Sequence, residues 1–461
     1  MNNDSSVVRL VNRLRAEATS GRPGDQLPST RSLVSTYGVS PVTVSRALAR
    51  LAAEGVVVAE PGRGTFIAPR PVAVAVEDVG WQTMALCDAR ISSSALHMLT
   101  SQPDPAALSL VGGYLTEDLQ PTRLLTAAGA RASRRPGAWS QASPVAGLPE
   151  LRASFAAPVG AEPEDVIIVP GGQAGISTAM RALTSPGQPV LVESPTYVRA
   201  IAAARMADLR PVAVPTDAHG IRPDLLAEAF ARTGARLVYL QPTYANPTGA
   251  VLSTERRAQV LDAARTAGAF ILEDDWARQL GLGRSTPPPL IRDDTDGHVV
   301  HLTSLSKPAA PNLRVAALVA RGPAAARLTA TRAVEDLFVA RPLQEVAVEL
   351  LESPAWARHL TAMRAALRER RNALVAAVRE HLPAVTVTRV PEGGFFLWLQ
   401  LPQGSDDLEF AARARRHDVL VGPGRPCFVT EPPGCYLRLT YCAAAPAELT
   451  EGVRRLAAVL C

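Results

Sequence analysis

The chain has 461 residues, of which 47% are apolar and 20% are charged, so it is long enough for two to four domains with buried cores and is not wholly disordered. It contains no run of eighteen apolar residues and its first residues lack the charged and apolar segments of a secretory signal, so we expect a cytoplasmic protein without a membrane span. Five cysteines, with no C-x-x-C pair among them, argue against a disulfide framework and against a zinc ribbon.

Charged residues are distributed unevenly along the chain. Residues 1–70 contain nine arginines and five acidic residues, which accounts for +4 of the formal net charge of +5. Such an asymmetry indicates a domain at one end that binds a polyanion. Of the 48 basic residues, Lys307 alone is a lysine. Because arginine cannot be deprotonated in a protein and lysine can, Lys307 is the candidate amine nucleophile; the alternative is a survivor of codon bias.

The start of the chain predicts three helices followed by a β-hairpin, the arrangement of a winged helix-turn-helix. Apolar residues at helical spacing predict a first helix that ends near Gly21. Ser29 is suited to cap a second helix, and Gly38 to end it. Ser40 followed by Pro41 is typical of the start of a third helix, since proline there gives up a donor that would have no partner.

The third helix and the hairpin carry the candidate residues for binding a duplex. The helical pattern over 41–54 places Val44 inward and Thr43 and Arg46 outward. Strand-like segments at 56–59 and 65–68 flank a Pro-Gly-Arg-Gly turn that forms the wing.

The segments L-P-S-T-R-S-L, Y-G-V-S-P-V-T-V-S-R-A-L-A-R-L-A-A-E-G and G-R-G-T-F resemble the GntR family of bacterial regulators over residues 7–68. The resemblance implies that the third helix contacts base edges in the major groove through Thr43. The wing tip and the other side chains are then expected to bind the phosphate backbone of the DNA. The DNA-binding residues it implies are Arg31, Ser40, Thr43, Arg46, Arg63 and Gly64. The alternative is a helical module with no more than a solvated basic face.

Residues 69–105 are expected to be a semi-rigid linker, because prolines bracket a stretch of weak periodicity. A short helix is predicted near Trp81–Ala89 within it. The predicted organisation is therefore a DNA-binding domain at 1–68, this linker, and an effector domain at 106–461.

In the effector domain, apolar strand-like runs alternate with alanine-rich helical stretches. The strand-like runs are Asp165–Val169, Val190–Val192, Leu237–Leu240, Phe270–Leu272, Val299–Leu302 and Val315–Val319. Fully apolar strands joined through helices predict an α/β fold with a mixed, mostly parallel sheet covered on both faces. Ligands of such sheets gather at the carboxyl ends of the strands.

Polar residues suited to one cofactor follow these strands. The amine of Lys307 can condense with the aldehyde of pyridoxal phosphate, and a buried carboxylate such as Asp274 favours a protonated ring nitrogen. A glycine-rich helix start and the fork of Arg314 can hold the phosphate. Arg438, on a strand-like run near the C-terminus, can receive a ligand carboxylate.

The segments P-G-G-Q-A-G, E-S-P-T-Y, N-P-T-G, L-E-D-D-W, S-L-S-K-P-A-A-P-N-L-R, P-E-G-G-F-F-L-W and Y-L-R-L-T-Y resemble fold-type I, class I/II aminotransferases from about residue 105 to 461. Joined to the GntR-like domain, the chain resembles the MocR subfamily of regulators. The resemblance implies a PLP-dependent transferase fold with a small C-terminal α+β subdomain. It also implies a domain-swapped homodimer, in which each DNA-binding module lies over the effector domain of the other subunit.

The same resemblance assigns roles to individual residues. Lys307 is the Schiff-base lysine, Asp274 pairs with the pyridine nitrogen, and Arg438 receives the ligand carboxylate. The residues that contact the rest of the cofactor are Gly172, Gln173, Ser304, Ser306 and Arg314 at the phosphate, Tyr197 stacked on the ring, and Asn246 and Trp276 beside it.

Several positions depart from the family pattern. Trp276 stands where relatives usually have a tyrosine, and Ala142 replaces a tyrosine that typically reaches the other subunit's phosphate. Asn312 and Ala316 fill positions that are often glycine. These changes bear on cofactor affinity and on catalysis.

Three functions follow from these patterns. The first is a transcriptional regulator of a DNA operator that uses pyridoxal phosphate on Lys307 to sense a small amino compound, or pyridoxal phosphate itself. The second is a PLP-dependent aminotransferase with an accessory DNA-binding module, and the third is a DNA-binding protein whose large domain has lost the cofactor. His298 and His301 have metal-ligand spacing but no obvious third ligand, so we expect no metal site.

Overall fold

The structure is a computed structural model that describes residues 3–69, 79–86, 90, 107–283 and 285–460. The chain divides into two compact units, Met1–Asp88 and Ala89–Cys461. The division falls inside the predicted linker, most of which lies outside the described residues, so the domain limits of 68 and 106 stay predictions. In the described part of the chain, no helix is long and apolar enough to cross a membrane.

The N-terminal unit is a three-helix core with an antiparallel hairpin. Its elements are α1 (Asn3–Ser20), α2 (Thr30–Tyr37), α3 (Pro41–Ala53), β1 (Val57–Glu60), β2 (Gly64–Ile67) and α4 (Gly80–Ala85). The hydroxyl of Ser29 accepts from the N–H of Ser32, and Gly38 ends α2 in the left-handed conformation, as the sequence predicts. Buried leucines of α1, α2 and α3 pack together under the hairpin.

The predicted outward orientation of Thr43 is wrong. Thr43 is 3% exposed, because it lies one helical turn before the buried Ala47, on the edge of the apolar stripe. Its hydroxyl oxygen lies 2.9 Å from that of Ser40, which caps α3 and accepts from the Thr43 N–H. Val42, which is 59% exposed, occupies the accessible position at the start of α3 instead.

The second unit is built on an eight-stranded sheet of order β4-β11-β10-β9-β8-β5-β6-β7. The strands are β4 (Val166–Val169), β5 (Pro189–Ser194), β6 (Arg210–Asp217), β7 (Gly220–Ile221), β8 (Leu237–Leu240), β9 (Phe270–Asp274), β10 (Val299–Ser304) and β11 (Ala316–Val319). Strands β6, β5, β8, β9 and β10 run parallel, whereas β11 is antiparallel to both of its neighbours. The predicted mixed, mostly parallel sheet is confirmed.

The helices of this unit cover both faces of the sheet or pack in the small subdomain that follows it. They are α5 (Thr122–Ala132), α6 (Pro149–Ala156), α7 (Gly172–Leu183), α8 (Val198–Met206), α9 (Pro223–Thr233), α10 (Thr254–Ala267), α11 (Pro323–Glu335), α12 (Arg341–Glu352), α13 (Pro354–His381), α14 (Asp407–Arg416) and α15 (Pro446–Leu460). Two separate apolar cores fill the two faces, since every residue of β4 and β8 is buried.

A small α+β subdomain completes the unit. Its four-stranded sheet has the order β12-β13-β16-β15, from β12 (Thr386–Val387), β13 (Phe396–Gln400), β15 (Gly422–Pro423) and β16 (Tyr436–Thr440). The short strands β3 (Leu108–Ser109) and β14 (Val419–Leu420) pair in parallel beside it. Among the described cysteines, Cys427, Cys435 and Cys442 are free thiols.

Candidate functional site

The carboxyl ends of four adjacent parallel strands place the predicted site residues along one edge of the sheet. Asp274 is the last residue of β9, and Ser304 is the last residue of β10. Tyr197 follows β5 by three residues and Gln241 follows β8 directly. Since β5, β8, β9 and β10 are neighbours, their carboxyl ends converge on one volume, as the sequence predicts.

The amine of Lys307 lies inside this volume. It donates to the carbonyl oxygen of Gly113 at 2.7 Å and lies 3.9 Å from the ring centroid of Tyr114. Burial disfavours the ammonium form and lowers the pKa of Lys307 to about 8, with nearby arginine charges acting in the same direction. A Cβ at Gly113 would stand 3.5 Å from the amine nitrogen, so the backbone approaches closely where the amine is held.

Asp274 is buried and is oriented by two neutral donors. The hydroxyl of Tyr239 donates to its Oδ2 at 2.6 Å, and the side-chain amide of Gln241 donates to the same oxygen at 2.8 Å. Burial raises the pKa of Asp274 to about 6, and these two hydrogen bonds limit the rise. The arrangement suits a carboxylate that receives a proton-bearing ring nitrogen. Sequence reasoning missed both donors; the position of Gln241 directly after β8 was the available signal.

Arg438 and Asn246, which are 192 residues apart, lie together in the folded chain. Nη1 of Arg438 donates to the side-chain carbonyl of Asn246 at 3.1 Å, and its guanidinium carbon lies 4.3 Å from the ring centroid of Phe396. Burial lowers the pKa of Arg438. A buried guanidinium with a neutral partner is suited to bind a carboxylate, because the carboxylate supplies the missing charge.

The start of α7 and the segment after β10 form a cradle for an anion. Arg314 donates to the carbonyl of Pro170 at 2.8 Å and, more weakly, to the hydroxyl of Ser306 at 3.4 Å. Gly171 has φ +94°, and a Cβ there would stand 2.3 Å from a guanidinium nitrogen of Arg314, so only glycine fits. The first N–H groups of a helix have no partner within it. Gly172 therefore begins an anion site that a phosphate fits.

The remaining predicted site residues differ in their hydrogen bonding and exposure. The hydroxyl of Ser304 accepts from the N–H of Ser306 at 3.2 Å, which leaves its proton available to a ligand. Burial raises the pKa of Tyr197 to about 12, so its ring is neutral and can cover a flat cofactor. The indole nitrogen of Trp276 is buried and has no hydrogen-bond partner in the described part of the chain, which fits a donor directed at an absent group. Ala142 is exposed in the single chain.

Sequence reasoning also missed Arg199, which is the second residue of α8 and lies in its first turn. Its charge is one of those that lower the pKa of Lys307. Gln173 donates from its side chain to the Arg199 carbonyl at 3.2 Å. An arginine in the first turn of a helix is unfavourable for the helix dipole, and this was a signal that the side chain serves another purpose.

Behind Asp274, a network of buried ionisable groups lies on the other face of β9. Nδ1 of His301 lies 3.0 Å from a Glu273 oxygen, and Asp275 pairs with Arg278. Ligand atoms of Glu273, Asp275 and His301 lie within 4.8 Å of one another, so the expectation that no further ligand lies near His301 is wrong. Burial alone would lower the pKa of His301, but the two carboxylates outweigh it and raise it. His298 does not join the group, because its Nδ1 contacts the Ala269 carbonyl.

Comparison with known protein families matches both units. Residues 111–456 match the model of the family described as aminotransferase class I and II. Residues 8–67 match the model described as bacterial regulatory proteins, gntR family. These ranges cover the two units separately and agree with the resemblances in the sequence.

Individual relatives fall into two groups. The chain is 31% identical to the HTH-type transcriptional regulator TauR of Rhodobacter capsulatus, over 98% of this chain and 96% of that protein. It is 33% identical to a 2-aminoadipate transaminase of Thermus thermophilus, over 80% of this chain and 94% of that enzyme. The crystal structure of LysN, an alpha-aminoadipate aminotransferase of Thermus thermophilus complexed with N-(5'-phosphopyridoxyl)-L-leucine, superposes with a TM-score of 0.77 at 32% identity and covers 82% of this chain and 98% of its own.

Proposed function

The chain belongs to the aminotransferase class I and II family and joins that domain to a gntR-type DNA-binding domain, as regulators of the MocR type do; from this premise we propose that it is a transcriptional regulator that senses a small amino compound, or pyridoxal phosphate itself, at Lys307. The family's cofactor is pyridoxal 5'-phosphate. The observation that carries the proposal is the single lysine, whose amine has a lowered pKa at the centre of the site.

The residues of the site fit this cofactor. Gly172 and Gln173 at the start of α7, the hydroxyls of Ser304 and Ser306, and the guanidinium of Arg314 would hold the phosphate. Tyr197 would stack on the pyridine ring and Asp274 would pair with the ring nitrogen. Asn246 and Trp276 would lie at the edge of the ring that carries the phenolate oxygen. When bound, the cofactor supplies an aldehyde that condenses with amines and a ring that withdraws electrons.

Two side chains, Lys307 and Arg438, would recognise the two ends of an amino acid. Lys307 is held by the Gly113 carbonyl with its amine largely shielded from water, which favours the neutral, nucleophilic form. Arg438 would receive the carboxylate of an amino acid, because its guanidinium is buried beside the neutral Asn246. An amino compound that carries a carboxylate satisfies both groups at once, so this is the class of effector we propose.

The DNA-binding role rests on the exposed basic face of the N-terminal unit. Arg31, Arg46 and Arg63 are exposed, and Gly64 lies at the tip of the wing. The side chain of Gln26 supports this tip by donating to the Arg63 carbonyl at 2.7 Å. Arginine side chains of this kind bind phosphates and set affinity, whereas the start of α3 would contact bases.

A homodimer, with each DNA-binding module over the partner's effector domain, is part of the proposal. It rests on the resemblance to the MocR arrangement and on large rings that a single chain leaves uncovered. Tyr114, whose ring covers the Lys307 amine, is 43% exposed, and Trp139 is 78% exposed. Sensing requires that the effector bind two conformations with different free energies and that these conformations differ in DNA affinity. A cytoplasmic location follows from this role.

The proposal is tested by the visible absorption spectrum of the protein with pyridoxal phosphate. We expect a new visible band in the wild type that borohydride fixes to the peptide containing Lys307, and that amino acids alter. Lys307→Arg is the matched control, because it keeps the positive charge and removes the nucleophile. Absence of a label at position 307, or a label of equal yield elsewhere in Lys307→Arg, would contradict the proposal.

A second candidate function is an aminotransferase with an accessory DNA-binding module. The observation that favours it is that the charges of Asp274 and Arg438 both act on the Lys307 amine, in a chain related to a transaminase. Steady turnover of an amino acid with a keto acid acceptor, together with no preference among DNA sequences, would support it over the regulator.

A further inference from the structure

Gln241 contacts both Asp274 and Asn246, although no sequence motif points to it. It follows β8 and is 2% exposed. Its side-chain N–H donates to Oδ2 of Asp274 at 2.8 Å, and its side-chain carbonyl accepts from the N–H of Asn246 at 2.9 Å. The amide orientation is fixed by chemistry, because an ionised carboxylate only accepts and a backbone N–H only donates.

These contacts complete a buried path across the site. Nη1 of Arg438 donates to Oδ1 of Asn246 at 3.1 Å, so the path runs from Arg438 through Asn246 and Gln241 to Asp274. The main chain of Gln241 is held at the same point, because its N–H donates to a carboxylate oxygen of Glu193 at 2.7 Å. All five side chains are buried, so water cannot easily replace a lost partner.

We infer that Gln241 is a positioning residue that couples capture of a ligand carboxylate at Arg438 to the placement of Asp274. This inference rests on the proposed function. A carboxylate that binds Arg438 competes with the Asn246 side chain for the same guanidinium N–H groups. The N–H of Asn246 is hydrogen-bonded to the side-chain carbonyl of Gln241. A shift of Asn246 therefore also moves the Gln241 side chain, which orients Asp274. The Gln241 side chain presents a neutral donor and a neutral acceptor on one rigid plane, and it reaches both Asp274 and Asn246.

Gln241→Met removes both hydrogen bonds with little change in length and none in charge. Any direct electrostatic effect of a bound carboxylate on the cofactor is therefore the same in the variant and in the wild type. Gln259→Met is the matched control, because Gln259 is exposed on α10. Gln241→Glu is a third variant, since its protonated form can donate to Asp274 and accept from Asn246, and its ionised form cannot donate.

The experiment measures the Kd of pyridoxal phosphate by absorption, with and without saturating propionate, against an equal concentration of chloride. Propionate has no amine, so it cannot react with the aldehyde. The ratio of the two Kd values is the coupling factor. We expect a factor that departs from one by about threefold or more in the wild type and in Gln259→Met, and by less than about 1.5-fold in Gln241→Met.

A wild-type factor of one, or an unchanged factor in Gln241→Met, would overturn the inference. If Gln241→Met does not bind the cofactor, Gln241→Glu decides when it is measured beside the wild type at each pH between 5 and 9, so that titration of Asp274 itself cancels. Coupling that matches the wild type at low pH and falls below it as the pH rises supports positioning. Coupling that is lost relative to the wild type at every pH overturns it. Failure of the wild type to bind pyridoxal phosphate at all would instead refute the proposed function, so the two failures are distinguishable.

Discussion

The rate at which Lys307 condenses with an aldehyde should follow the neutral fraction of its amine. Burial lowers the pKa of Lys307 from 10.5 to about 8, and the charges of Arg438 and Arg199 act in the same direction. At pH 7 roughly one amine in ten is then neutral, against about one in three thousand for an unperturbed lysine. The structure therefore predicts a gain of up to about 300-fold in reactivity at this pH.

Mixing cofactor-free protein with pyridoxal phosphate in a stopped-flow spectrometer between pH 6 and 10 measures this rate. A simple lysine derivative is measured in parallel, so that titration of the aldehyde reagent itself cancels. We expect a rate that rises about tenfold per pH unit below pH 8 and then levels off. Arg438→Met should move the midpoint upward, because it removes a positive charge that disfavours the ammonium form. A wild-type rate that keeps rising to pH 10 would refute the reasoning.

Three further predictions concern the cofactor cradle and the DNA-binding face. Gly171→Ala should weaken pyridoxal phosphate binding at least about tenfold in an absorption titration, because the added Cβ would stand 2.3 Å from the guanidinium of Arg314. Gly160→Ala is the control, since Gly160 also has a positive φ but has open space around it. It should leave the cofactor affinity unchanged and lower the free energy of unfolding by about 1 kcal/mol. Thr43→Ala should lower thermal stability by about 1 kcal/mol through loss of its buried hydroxyl contact, while Val42→Ser should leave stability unchanged and alter preference among base-substituted duplexes in an anisotropy assay. Arg63→Ala should weaken binding to all duplexes alike and reduce the slope of log affinity against log salt by about one; a change confined to one sequence would contradict this.

Local signals made much of the fold predictable from the sequence. Ser29 and Ser40 cap their helices by accepting hydrogen bonds from residues three positions away, so neighbouring residues suffice to place them. Buried parallel strands such as Leu237–Leu240 consist of large aliphatic and aromatic residues, and the helices between them have the lengths that a parallel connection needs. Lys307 stood out because arginine replaces lysine everywhere else.

Contacts between distant segments were not predictable in the same way. Thr43 lies at the edge of the apolar stripe of α3, where a shift of one position separates burial from exposure. Strand β6 was missed because its buried and exposed residues mix near the edge of the sheet, and prolines interrupt its pattern. Gln241 meets Asp274 only because β8 and β9 are adjacent, which the sequence does not specify. The pairing of β9 with β10 in the same way brings Glu273 beside His301.

In the proposed regulator, the chemistry at Lys307 controls the affinity of the N-terminal unit for DNA. The duplex is one that the protein itself selects from a pool of random sequences, and the effector is an amino acid that changes the visible absorption band. The direct measurement is the affinity of the protein for this duplex in the presence of pyridoxal phosphate, with and without that effector. We predict that the effector changes the wild-type affinity at least about fivefold, and that Lys307→Arg binds the duplex with no response to the effector. An affinity that is the same with and without the effector in the wild type would contradict the account.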